Sequence, residues 1–244
     1  MLGGCNKPTP KSELPTPTNP PSTTKPPKTT APSKKQLVTA KQLKDFGWKQ
    51  SSEAFATRLN KALYNNGITN IHSIRMLMAT MAAESDYGRY TIEQGSDAYF
   101  KGKSYGKNKR GAGYIQITHE STHKDFLKSV VCKFTGADTA TYIANNYELE
   151  ASVWYWSTYK KIGNLTLNKY AETLGNGSEG IFLIIQYYVN GVPSGIGSDL
   201  TSIRNGGKFE IKNNKLKVGK NEYRLPNGWD KRKKAYDKAK TVFK

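Results

Sequence analysis

Cysteine is nearly absent from this sequence: Cys5 and Cys132 are the only two in 244 residues. Two cysteines cannot build a disulfide framework, and their separation fits no metal-ligand spacing. Cys132 follows Val130-Val131 and reads as a small buried apolar residue rather than a nucleophile. Histidine occurs three times; His119 and His123, four apart, would share a helix face, but no third metal ligand accompanies them. No metal site is therefore expected. No stretch approaches the roughly 18 apolar residues of a membrane-crossing helix. Acidic residues are scarce too, 19 against 38 Lys and Arg, for a formal charge of +19.

Aromatic residues are missing from the whole front end, where the first is Phe46, while nine of the eleven prolines fall between Pro8 and Pro32. Such a segment cannot form a core, and proline holds it extended as a spacer. It begins with Leu2-Gly3-Gly4-Cys5, which resembles a lipobox, the site at which bacterial lipoproteins are cleaved before an acylated cysteine. Residues 1–36 are accordingly expected to be a tether, with lipidation at Cys5 and membrane attachment as its consequence. Only Met1 precedes the motif, so a linker from a larger protein is the other reading. Residues 37–244 form one domain of ordinary size.

Of the formal charge, +5 lies in residues 1–35 and +14 beyond them; residues 208–244 alone carry +9. This favours a polyanionic partner, either a bacterial wall with its carboxylates and phosphates or a nucleic acid; a soluble basic surface is the bland alternative. No nucleic-acid fold motif accompanies the charge, so nucleic acid is not the expected partner.

Helical periodicity predicts a short helix capped by Thr39 and stopped at Gly47, a second opened by Ser51 or Ser52 and ended at Asn65-Asn66-Gly67, and a third from Ile71 to Ser85 behind Asn70. The third is apolar nearly all round and should be central. Residues 86–112 read as loop, and Gly113–Thr118 as a short strand or a helix start. Helices are predicted over 142–160, 179–190 and from Asp230 to Phe243. A lysine-bearing hairpin is predicted around Asn213-Asn214, with Phe209 and Ile211 on one arm and Leu216 and Val218 on the other. Trp154 and Trp156 read as core rather than sugar platforms.

Glu84 closes the apolar helix. Desolvation there should raise its pKa and let it act as a general acid; otherwise it is a carboxylate turned outward at a helix end. Glu93 lies nine residues on, in a polar loop, where a solvated carboxylate facing Glu84 could activate water. Alone it is a surface residue. In Arg110-Gly-Ala-Gly-Tyr-Ile-Gln-Ile-Thr118 the glycines permit close backbone approach to a ligand, and Gln116 and Thr118 point the same way if the segment is extended.

Together these pieces resemble the plant-type (family 19) chitinases, and more closely the chitinase-like endolysins of phages and bacteria. The resemblance takes in Val38–Leu43, Leu59–Leu63, Gly67-Ile68, Arg75 through Glu84-Ser85, the step to Glu93, Arg110–Thr118, Ala151–Trp156, the Val189-Asn190-Gly191 turn, and Arg232 with Tyr236. It implies a mainly α, lysozyme-like catalytic domain with a small β-hairpin element, acting as a glycoside hydrolase without cofactor. It implies Glu84 as proton donor, Glu93 as base and Thr118 as holder of the attacking water. Tyr114, Gln116 and Asn190 would line the sugar cleft, with Arg232 behind it. The mechanism would invert the anomeric carbon. Departures are Ala83 where the family has His, the Ser85-Asp86-Tyr87-Gly88 that follows, the lack of an asparagine soon after Thr118, and an apparent insertion over 192–228. The charge and the tether favour peptidoglycan over neutral chitin, and an extracytoplasmic monomer. A lytic transglycosylase or goose-type lysozyme, needing one acid only, is the second enzyme reading; a non-catalytic wall or nucleic-acid binder is the third.

Overall fold

The helix from Ile71 to Ser85 (α3) organises everything else. Ten of its fifteen residues are buried, which leaves no face for solvent and requires neighbours on all sides. The computed structural model describes residues 35–244. The tether reading and the lipidation of Cys5 fall outside these residues.

Before α3 come α1 (Ala40–Phe46), opened by a Thr39–Gln42 capping box and closed by left-handed Gly47, and α2 (Glu53–Asn65), capped by the Ser52 side chain. Asn70 caps α3 through its side chain. After it the chain runs through α4 (Asp97–Lys101), a 3₁₀ turn (Lys107–Lys109), α5 (Glu120–Ser129), α6 (Thr139–Asn146) and α7 (Glu148–Trp154). Next come a short hairpin of β1 (Lys161–Ile162) and β2 (Leu165–Thr166), then α8 (Leu167–Leu174), α9 (Glu179–Asn190) and α10 (Gly197–Arg204). Strands β3 (Glu210–Lys212), β4 (Lys215–Val218) and β5 (Asn221–Arg224) precede α11 (Trp229–Val242). Helices α11 and α8 pack on α3, and one continuous core runs from Val38 to Phe243. Trp154 and Trp156 belong to it, at 9% and 0% exposure.

Several expectations need correction. Residues 86–112 are not all loop: Ser96 caps α4 and Lys107–Lys109 form the 3₁₀ turn. The helix predicted over 142–160 is broken at Tyr147 and then widens into a π-turn over Tyr155–Tyr159. The hairpin gains a third strand, β5, and Phe209 stays outside β3. Its tight turn uses Asn213 and Asn214, both at positive φ (52° and 58°), the geometry that two-residue hairpins demand. Register pairs Ile211 with Leu216 and Leu216 with Tyr223 on the inner face. The outer face then carries Lys212, Lys215 and Arg224 in one exposed cross-strand row.

Gly113–Thr118 is neither strand nor helix. Ala112 and Ile117 close a four-residue turn by antiparallel bridging, and Ala112 also bridges Ile92. Gln116 sits at φ 56° and Gly113 at φ 75°. A Cβ on Gly113 would lie 2.9 Å from the Glu148 carbonyl oxygen, which leaves room for glycine alone. Alternation of side chains therefore does not apply to Gln116 and Thr118; the turn, not an extended strand, presents them together.

Candidate active site

Five pieces of chain converge on one cleft of about 900 Å³. They are the end of α3, the 90–94 segment, the 111–119 turn, and Tyr155–Lys160 together with the end of α9. Glu84, Glu93, Gln116, Thr118 and Asn190 all line it. Tyr114 does not. It is fully buried, with its ring set edge-on to Trp48 at 5.1 Å and Phe55 at 6.2 Å. The expectation that it lines the sugar cleft is corrected: Tyr114 is the root by which the turn is seated. Its N–H donates to the Glu148 carbonyl at 3.1 Å, and the next N–H, of Ile115, donates to Ser152 Oγ at 3.1 Å. Both acceptors are on α7, which Arg58 of α2 locks through Glu148 (2.6 Å) and Glu150 (2.7 Å).

Glu84 is 18% exposed at its side chain and its Oε1 lies 2.8 Å from Arg232 Nη2. The resemblance set Arg232 behind the cleft; the structure makes it the charged partner of this carboxyl. Arg232 is itself buried, and each of its donor nitrogens is used: Nε donates to the Asn227 carbonyl at 2.7 Å, Nη1 to Gln186 Oε1 at 2.8 Å, Nη2 to Glu84. Gln186 in turn donates to Thr80 Oγ1 at 2.8 Å. A fully satisfied polar ladder thus crosses from α3 through α9 to α11 and back to Glu84, and such ladders hold their members in one geometry. Asn190 sits beside the pair. Its nitrogen reaches Glu84 Oε1 at 3.3 Å; turned the other way, its oxygen accepts from Arg232 Nη2 at 2.7 Å.

Glu93 is held differently. Oε1 accepts from the hydroxyls of Tyr99 at 3.0 Å and Tyr105 at 2.9 Å, and Oε2 from the Gly111 N–H at 2.9 Å. The Glu93 N–H returns a bond to the Gly111 carbonyl at 2.8 Å. The carboxylate is therefore oriented by the turn that also carries Gln116 and Thr118. Thr118 Oγ1 donates to the Gln116 carbonyl at 2.9 Å, and Gln116 Nε2 donates to the Gly113 carbonyl at 2.7 Å. Burial, and then the hydrogen bond to Glu93, pushes the Tyr105 phenol well above its usual range. Burial and then the charge of Glu84 do the same to Tyr155.

His119 and His123 do not share a task. His119 is exposed at the head of α5, while His123 is buried, with Nδ1 at 2.8 Å from Thr139 Oγ1 and Nε2 at 2.9 Å from the Ile117 carbonyl. Among the described residues no group of His, Cys, Asp and Glu is placed to hold a metal. Cys132 is half-buried rather than buried, 3.7 Å from the Tyr142 hydroxyl.

Sequence reasoning missed Gln186, Tyr99, Tyr105, Tyr155 and Lys160. Gln186 carried a readable signal: it is a lone amide inside Ile-Phe-Leu-Ile-Ile-Gln-Tyr-Tyr, and a buried amide needs partners. The tyrosines had no comparable signal in a chain with 15 of them.

A mainly helical domain whose long central helix delivers a carboxylate to a cleft, with a second carboxylate beside a small antiparallel turn lining the same cleft, is lysozyme-like in architecture. Within that class the fold is similar to that of chitinases. Chitinase C from Streptomyces griseus HUT6037 matches with a TM-score of 0.55 and 14% identity, covering 87% of this chain and 95% of that one. A bacterial family 19 chitinase matches with a TM-score of 0.52 and 14% identity, over 83% and 95%. No family model and no curated protein matches the sequence.

Proposed function

We propose that this chain is a glycoside hydrolase that cuts β-1,4 bonds of peptidoglycan with inversion. Glu84 gives a proton to the leaving oxygen, and Glu93 takes one from the water that attacks the opposite face of the sugar. The observation that carries the reading is the convergence of Glu84 and Glu93 on one cleft, each fixed by its own set of partners. An inverting pair must leave room for water, with carboxyl groups roughly 6.5–9.5 Å apart. The Thr118 hydroxyl donates to backbone and so keeps its lone pairs for that water. Gln116 and Asn190 offer amides to sugar hydroxyls and N-acetyl groups. The enzyme acts outside the cytoplasm, where its substrate lies, with residues 1–36 and Cys5 as its tether.

Chitin is the second reading, favoured by the names of the structures with a similar fold. The basic surface is the argument against it, since a neutral polymer makes no use of charge. Purified peptidoglycan and chitin, digested by wild type, Glu84→Gln and Glu93→Gln with mass analysis of the products, decide the matter. Hydrolysis yields reducing ends, lost on Glu84→Gln and reduced by about 10²–10⁴-fold on Glu93→Gln. Anhydro sugars, or a Glu93→Gln variant of full activity, would point instead to a transglycosylase with a single acid. Full turnover by Glu84→Gln would remove the assignment altogether.

A further inference from the structure

The cleft contains a cation that the two-carboxylate chemistry does not use. Lys160 lines it together with Tyr155 and Tyr159. Its backbone is fixed on both sides: the N–H donates to the Tyr155 carbonyl at 2.9 Å and the carbonyl accepts from the Leu167 N–H at 3.1 Å. The side chain therefore starts from a rigid point at the junction of the π-turn and β1. Lys160 is half-buried. Burial lowers its pKa, and Glu84 and Glu93 line the same cavity. Glu84 already has Arg232 as its counter-charge, and Glu93 is occupied by two hydroxyls and an N–H. Among the described residues Lys160 has no ion pair.

Removing water from an ammonium is costly unless an anion replaces it. No described residue supplies one here, so the counter-charge is one the ligand can bring. Glycans of the two candidate kinds differ on this point. A polymer of N-acetylglucosamine is uncharged, whereas alternate sugars of peptidoglycan carry a lactyl ether that ends in a carboxylate or continues into an acidic peptide. We propose that Lys160 is a specificity residue that binds a carboxylate of a muramyl-type acidic glycan and so selects such strands over neutral ones. This deepens the proposed function and rests on the cleft being a glycan site.

The test is a binding titration, independent of turnover. Wild type, Lys160→Gln and Lys160→Arg are titrated by calorimetry with two soluble oligosaccharides of equal length. One is a chitooligosaccharide; the other is a peptide-free alternating N-acetylglucosamine–N-acetylmuramic acid oligomer. Wild type is expected to prefer the acidic oligomer. Lys160→Gln is expected to shrink that preference by about tenfold, the worth of one charge-assisted hydrogen bond. Lys160→Arg, which keeps the charge, retains most of it. An affinity ratio that stays within about twofold of wild type in Lys160→Gln would overturn the proposal. So would a wild-type preference for the neutral oligomer, or no binding of either. Cleavage of the same oligomers is scored separately. A shifted ratio without cleavage sinks the hydrolase reading and leaves this one standing; cleavage with an unshifted ratio does the reverse.

Discussion

Replacing Arg232 by methionine removes a guanidinium that is buried and fully bonded, with Glu84, Gln186 and the Asn227 carbonyl as acceptors. Methionine keeps apolar bulk and supplies no donor, so three acceptors lose their partner at once. Hydrogen bonds to charged groups are worth about 1.5–3 kcal/mol each, but they are not additive, and breaking a buried pair from one side costs about 3–5 kcal/mol in all. For a domain of this size each kcal/mol moves Tm by about 2–4 °C, so Arg232→Met is expected to lower Tm by roughly 6–20 °C. The part owed to Glu84 alone is isolated by a double-mutant cycle in urea with Glu84→Gln. Arg232 and Glu84 have side-chain exposures of 6% and 18%, so solvent screens the pair little, and a coupling of about 1–3 kcal/mol is expected. Additivity of the two substitutions within about 0.5 kcal/mol would show that the ion pair carries no weight and that Arg232 serves Gln186 and the backbone only.

Two further outcomes follow from the same geometry. Tyr105→Phe deletes a hydroxyl that orients Glu93 at 2.9 Å while Tyr99 still donates to the same oxygen; turnover should fall by about tenfold with the fold intact, and unchanged kcat would separate Tyr105 from the chemistry. Burial lowers the pKa of His123, so as pH falls the unfolded chain takes up the proton before the folded one. The contribution of His123 is therefore flat above roughly pH 6.5 and turns destabilising below it. Urea midpoints at about pH 7.5 and about pH 5.5 should differ less in His123→Gln than in wild type.

The helices that form the frame were legible because their signals are local. Thr39, Ser52 and Asn70 cap as their side chains predict, and the apolar periodicity of α3 and α9 marks them as buried. The two carboxylates were singled out through the family resemblance, and both do line one cleft. Apart from Arg232, Gln116, Thr118 and Asn190, which the resemblance supplied, what surrounds them was not legible, because it is assembled by tertiary contacts: Gln186 meets Thr80 across 106 residues, and Tyr105 meets Glu93 from beyond a helix. Tyr114 was misplaced, and the turn geometry is the reason. The resemblance carried it over by its place in the motif, yet the positive φ at Gly113 and Gln116 turns the chain back on itself, and Tyr114 becomes the side chain that is swallowed. The third strand escaped notice because Asn-Glu-Tyr-Arg pairs its edge with β4 while only Tyr223 faces inward, which leaves almost no apolar alternation to read.

The ladder that ends at Glu84 takes its cation from α11, whereas the carboxylate lies in the first half of the chain. During synthesis the acid group therefore waits unneutralised until the ribosome has released residues up to Arg232 and that helix has docked along α3. A site wired in this way stays incomplete in a nascent fragment, and the cleft acquires its full set of charges only as the last helix settles.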